Sequence, residues 1–339
     1  MKKLYALLFL SGLLFVSCFD DDTAVMPDTT PDPDPINYTS GSADFSNYVA
    51  VGNSLTAGVS DQALFIDGQT ASFPNMLAGN FALAGGGNFT IPFMSDNLGG
   101  TTLGGMPLTP NRLILDFSSG SPLPVPVEGQ ASTEISNILN GPFNNMGVPS
   151  AKSYHLLAPG YGNLAGVQLG LANPFYVRFA SSPTASVLQD AASQNPSFFT
   201  LWVGHNDVLA YAVSGGSGVD QAGNFDPSTY GGSDISDPNV VAGSIDGILA
   251  TLTAGGADGA IANIPDITTI PYFTTVPHNP VPLDEGTAAL LNGAFAAYNG
   301  GLAQLQGLGL ISAEELAQRT VSFAAGAENA VLILDEDLT

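Results

Sequence analysis

Tyr48-Val49-Ala50-Val51-Gly52-Asn53-Ser54-Leu55-Thr56-Ala57-Gly58 is the stretch on which the fold of this 339-residue chain turns. The apolar residues Tyr48, Val49 and Val51 suit a buried strand, and Gly52 breaks that pattern just before a single hydroxyl, Ser54. From Leu55 to Ala78 the sequence has mixed helical and loop character, so Ser54 is expected at a strand-to-helix junction, where backbone N–H groups lack intrachain partners. Such donors can hold a developing oxyanion. Ser54 is equally suited to capping the helix that follows, since serine is a favoured N-cap residue.

Further along, Phe73 to Leu83 can close a helix and Phe89 to Phe93 reads as a weak strand. From about residue 84 to 149 the chain is rich in Gly, Pro, Asn and Ser without a strong period, which predicts an insertion of surface loops. Phe198 to Val203, FFTLWV, is continuously apolar, aromatic and β-branched, a buried strand ending at Gly204. Asp237 and Pro238 are the N-cap and first residue of a helix carrying Val241, Ile245, Ile248, Leu249 and Leu252 on one face. Ala260 to Ile264 is another short strand, a further helix starts near Asp284, and Ser312 with Glu315 spells a capping box. This alternation predicts an α/β protein, a parallel sheet covered on both faces, with ligands at the carboxyl ends of its strands.

The residues after two of those strands are Gly52-Asn53-Ser54-Leu55 and Gly204-His205-Asn206-Asp207. Together they resemble the SGNH (GDSL-type) hydrolase superfamily, whose first block is Gly-Asp-Ser-Leu and whose third is Gly-x-Asn-Asp. The spacing Gly52, Ser54, Thr56 departs from the Gly-x-Ser-x-Gly elbow of α/β-hydrolases. The resemblance implies a flavodoxin-like three-layer α/β/α sandwich and a serine ester hydrolase. In it Ser54 is the nucleophile, and its own N–H and the side-chain amide of Asn206 stabilise the oxyanion. Asn53 stands where the family has aspartate. Gly204, His205 and Asp207 are placed near the site, with Asp207 expected to cap a helix starting near Val208. The family's second block supplies a glycine N–H, for which Gly147-Val148-Pro149-Ser150-Ala151 is the candidate. Ser150 stands where that glycine would lie, and Gly147 is the neighbouring option. A negative φ at Ser150 would leave its N–H usable, whereas a positive one would be strained.

The family's closing Asp-x-x-His, which holds the general base, occurs nowhere in this sequence. The three histidines are His155, His205 and His278, none with aspartate three residues before it. The chain closes on AVLILDEDLT, an apolar run with no helix behind it, so the expectation is a domain whose C-terminal part is missing, with the base beyond Thr339.

Lys2 and Lys3, an apolar run from Leu4 to Val16, then Ser17 and Cys18 read as an export signal too short to span a bilayer. Phe15-Val16-Ser17-Cys18 resembles the lipobox of bacterial lipoproteins, which implies cleavage before Cys18 and a lipid on its sulfur. The protein is then expected on the envelope of a Gram-negative bacterium, at the outer membrane. Cys18 is the only cysteine, so no disulfide staples the fold. Residues 18–43, with Asp20 to Asp22 and four prolines, predict a solvated tether, leaving 44–339 as one domain. A net charge of -24 repels nucleic acid and anionic membranes. The expected partner is an ester (a lipid, an acetylated glycan or a small ester), with no cofactor and no metal site. A surface lipoprotein that keeps the fold and binds glycan or protein without catalysis is the other reading.

Overall fold

Residues 36–275 and 279–332 are described by a computed structural model; the leader, Cys18, most of the tether and His278 lie outside the described residues. Strand β1 (Tyr48–Gly52) pairs in parallel with β3 (Phe198–Trp202), Tyr48 opposite Phe198 and Gly52 opposite Trp202. On its other side β1 pairs in parallel with β2 (Asn145–Gly147), Gly52 opposite Gly147. Strand β4 (Asp258–Ile261) lies outside β3. The sheet order is β2-β1-β3-β4, all parallel, and the order reverses between β1 and β3, where α/β sheets open a crevice at their carboxyl edge.

The alternation of side chains along β1 and β3 divides the core. Val49, Val51, Met146, Phe199 and Leu201 point to one face, where Leu188 and Ala191 of α3 (Val187–Ala192) and Ile248 and Leu252 of α5 (Pro238–Thr253) cover them. Tyr48 and Ala50 point to the other, against Ala78, Leu77 and Phe81 of α2 (Phe73–Ala82). On that face the Phe81 ring stacks on Phe45 at 3.9 Å and meets Tyr48 edge-on at 5.1 Å. β1 is therefore buried on both faces, as its near-continuous apolar sequence requires. Helix α5 starts as expected, with the Asp237 carboxylate accepting the Asn239 and Val240 N–H groups and Pro238 at its first position.

Several expectations change. Phe89–Phe93 forms no strand: the carbonyls of Pro92 and Phe93 accept from the buried guanidinium of Arg178, the Thr90 N–H donates to Asn144 Oδ1, and the Thr90 carbonyl accepts the Asn144 and Asn145 N–H groups, so its backbone is satisfied without a ladder. The edge strand of the main sheet, Asp258–Ile261, starts two residues earlier than its apolar run suggests, because it keeps register with Phe198–Leu201. The insertion contains small sheets, Thr101–Leu103 with Met106–Thr109 and Thr133–Glu134, and Leu113–Asp116 with Leu123–Pro126. It ends before β2, so residues 145–147 belong to the main sheet rather than to the loops. No helix among the described residues is long and apolar enough to cross a membrane.

Gly147 shows how tightly β2 is fitted. A Cβ at this position would fall on the Ala57 backbone nitrogen, in the short helix α1 (Ser54–Ala57). Backbone cannot yield as a flexible side chain can, so Gly147→Ala is expected to cost about 1–3 kcal/mol and to lower the melting temperature by roughly 3–10 °C. Thermal denaturation followed by circular dichroism reads this directly; an unchanged melting temperature would mean that α1 does not press on β2.

Candidate active site

The register places Gly52, Gly147 and Trp202 side by side at the carboxyl edge of the sheet. Ser54, Ser150 and Asn206 each follow within a few residues, so three segments distant in sequence converge at the reversal in strand order. Ser54 opens α1, and its Oγ accepts the Ser150 N–H at 3.1 Å. It does not cap the helix; Asn53 holds the cap position, with no side-chain cap bond. Asn206 opens α4 (Asn206–Val213), and its Nδ2 donates to the carbonyl of Ala151 at 3.0 Å. The nucleophile candidate and the carboxamide are thus joined through two consecutive residues. Both are half-buried and Ser150 is exposed, so the edge is open to solvent.

Ser150 adopts φ +63°, the left-handed region. Of the two alternatives, the backbone takes the strained one, with the Ser150 N–H directed at Ser54 Oγ. The cost for a residue with Cβ is about 1–2 kcal/mol, against roughly 0.5–1 kcal/mol of extra chain entropy that glycine loses on folding. Ser150→Gly is therefore expected to stabilise the protein by about 0.5–1 kcal/mol, raising the melting temperature by roughly 1–3 °C. Ser150→Ala, which keeps the Cβ, gives no such rise; equal melting temperatures for the two variants would remove the strain argument.

Gly147 is not the oxyanion donor. Its N–H is taken up by Asn145 Oδ1 at 3.0 Å, and it is buried beneath α1. Asn145 in turn donates from Nδ2 to the Thr56 carbonyl at 2.9 Å, so one side chain ties β2 to the helix that carries Ser54. Asn173 donates to the Pro149 carbonyl at 2.8 Å and steadies the residue before Ser150. Neither asparagine carries a sequence signal for this role, because each reaches its partner across dozens of residues or a loop; β2 itself is three residues in a polar stretch.

Asp207 also differs from expectation. The helix starts one residue before it, with His205 at the cap position making no side-chain bond, and the Asp207 carboxylate turns to the 150–153 loop instead. It accepts the Ser153 N–H at 2.8 Å and the Ser153 hydroxyl at 3.0 Å and is fully buried. Burial raises its pKa, opposed by the Ser153 bonds, the Ser236 hydroxyl and the nearby Lys152 ammonium. Lys152 is itself buried, and its Nζ donates to the Asp234 carbonyl at 2.7 Å. Burial lowers its pKa, with Asp207 and Asp234 acting the other way.

Gly204 is the left-handed turn, φ +110°, between β3 and the helix. Asn53 is fully buried, and neither its Oδ1 nor its Nδ2 has a hydrogen-bond partner among the described residues. His205 is 6 % exposed, its Nδ1 is likewise unpartnered, and burial lowers its pKa. His155 stacks on Tyr161 at 4.7 Å and uses Nδ1 to accept the Lys152 N–H at 3.1 Å. Burial, aided by Lys152, brings its pKa down to about 4. That ring is neutral at pH 7 and engaged in holding the loop. Among the described residues no histidine hydrogen-bonds Ser54 Oγ, and no group of three or more His, Cys, Asp or Glu is placed to hold a metal ion. A cleft of about 550 Å³ lies among the inserted hairpins, lined by Thr101, Met106, Pro107 and Gln130 among others; it touches none of Ser54, Ser150 and Asn206.

No family model matches this chain, and no match is found among curated proteins or solved structures.

Proposed function

We propose that this protein is an exported, lipid-anchored serine ester hydrolase of the SGNH (GDSL-type) kind. The strand order is that of the first four strands of a flavodoxin-like sheet. The reading is carried by one arrangement: the Ser54 hydroxyl within hydrogen-bond distance of the Ser150 N–H, and the Asn206 carboxamide tied to the next residue, at the edge where the strand order reverses.

In the acylation step Ser54 Oγ bonds to the ester carbonyl carbon, its proton passes to a general base, and the carbonyl oxygen takes up negative charge. The Ser150 N–H and the Asn206 amide then face that charge. The alcohol departs with a proton, and water repeats the sequence on the acyl-serine. The base is not identified among the described residues. The substrate is not anionic around its ester, because each described cation is already engaged. Arg112 faces Asp61 at 3.8 Å, Arg319 bridges Glu315, Lys152 holds Asp234, and Arg178 is buried against backbone carbonyls. A lipid, an acetylated glycan and a small ester all meet that condition.

A binding lipoprotein without catalysis is the second reading, favoured by the absence of Asp-x-x-His from the sequence. A fluorophosphonate probe separates the two on the product of the whole reading frame. Mass spectrometry is expected to find the phosphonyl group on the peptide containing Ser54. A folded protein left unlabelled favours the binding reading.

A further inference from the structure

We infer that Asp207 is a positioning residue, whose buried carboxylate clamps the 150–153 loop and thereby holds the Ser150 N–H and the Asn206 carboxamide at one oxyanion position. The catalytic consequence rests on the ester-hydrolase reading; the clamp itself is a matter of geometry.

A carboxylate out of contact with water is costly unless its oxygens are well bonded. Asp207 is fully buried, and its carboxylate takes two bonds from one residue, Ser153, with the buried Ser236 hydroxyl close by but outside hydrogen-bond geometry. Its carbonyl accepts the Ser236 N–H at 2.9 Å and its N–H donates to the Gly204 carbonyl at 3.1 Å, so the carboxylate stands on a fixed backbone. The residue before it is Asn206, and three residues before Ser153 is Ser150. One side-chain contact therefore links the two segments that supply the oxyanion donors.

The left-handed backbone of Ser150 is the second, independent observation. A strained residue persists only where its surroundings over-determine it, and every neighbour of Ser150 is tied. The Pro149 carbonyl is held by Asn173, the Ala151 carbonyl by Asn206, the Lys152 ammonium by the Asp234 carbonyl, and Ser153 by Asp207. Asp207 is the one of these partners that makes two bonds to a single residue of the loop. Release it, and Ser150 can relax toward negative φ, which carries its N–H away from Ser54. A glycine at the same position has no strain to relieve and keeps the left-handed angle unaided.

The test compares Asp207→Ala, Ser153→Ala and Asp207→Asn, the first two with and without Ser150→Gly. Crystal structures read φ at residue 150, and p-nitrophenyl acetate kinetics read kcat and KM. Asp207→Ala is expected to move residue 150 out of the left-handed region and lower kcat by up to roughly 100-fold, the scale of one lost oxyanion donor, with little change in KM. Ser153→Ala, which removes only the hydroxyl bond, gives a smaller loss of the same kind and carries the test if Asp207→Ala does not fold. Asp207→Asn keeps an acceptor for the Ser153 N–H and retains most activity. Adding Ser150→Gly is expected to restore at least ~10-fold in the Asp207→Ala background, a coupling that independent sites do not show. The inference is overturned if residue 150 keeps its φ and its N–H on Ser54 in both alanine variants, or if Ser150→Gly has the same effect in every background. A wild-type protein that hydrolyses no ester would overturn the hydrolase reading instead, and the crystallographic comparison would still decide the clamp.

Discussion

Replacing Ser54 by alanine is expected to abolish hydrolysis of a short-chain aryl ester by the complete polypeptide and to abolish labelling by a fluorophosphonate. The Ser54 hydroxyl is the group at the convergence of the three loops that receives the Ser150 N–H, and it can form an acyl intermediate, whereas that N–H and the Asn206 amide only donate hydrogen bonds. Without the nucleophile the oxyanion donors have no covalent intermediate to stabilise. The variant should remain folded, because Ser54 Oγ is half-buried and accepts one hydrogen bond, worth about 0.5–1.5 kcal/mol. A melting temperature within a few degrees of the wild type, together with lost turnover, separates chemistry from unfolding. Retention of activity in this variant would remove Ser54 from the reaction.

Asn206→Ala is expected to lower kcat by roughly 100- to 1000-fold, the usual consequence of removing one oxyanion donor. The amide nitrogen has two hydrogens. One is committed to the Ala151 carbonyl at 3.0 Å, and the other is free to face the developing charge. Asn206→Asp should do at least as much damage, since it replaces a donor by an anion where negative charge accumulates. Truncation also frees the Ala151 carbonyl, so part of the loss reaches the reaction through the Ser150 loop. Steady-state kinetics settle the assignment: an effect confined to KM would place Asn206 in ground-state binding rather than at the oxyanion.

The Gly147→Ala and Ser150→Gly substitutions address a different property of the same edge. Gly147 ends β2 and Ser150 follows it by three residues, yet they pull in opposite directions. Gly147 must lack a side chain because α1 presses on it, and Ser150 carries one at a backbone angle that resists it. A protein that keeps a strained residue whose N–H contacts a serine hydroxyl has a reason to hold that N–H in place.

The parts of this architecture with strong local signals were legible from residues alone. β1 and β3 are apolar runs cut off by glycine, and α5 opens with Asp237 and Pro238 and keeps its apolar residues on one face, so each announces itself within its own length. The pairing of Gly52-Asn53-Ser54-Leu55 with Gly204-His205-Asn206-Asp207 pointed to a shared pocket, because parallel strands put the residues that follow them at the same edge. The third segment, 147–151, was reached only through the family resemblance, and the strand that leads into it was not legible locally. β2 is three residues long, Asn145 to Gly147, and exists because β1 offers it an edge to pair with. The use of Asp207 for the Ser153 loop instead of its own helix, the consumption of the Gly147 N–H by Asn145, and the left-handed turn of Ser150 are likewise set by groups brought close only when the sheet assembles. Composition and periodicity determined the strongly patterned strands and helices, β1, β3 and α5 among them, and which hydroxyl stands at a strand end. Only tertiary structure decided which backbone N–H meets that hydroxyl, because the angle at residue 150 is held by contacts with Asn173, Asn206 and Asp207, from 23 to 57 residues further along the chain.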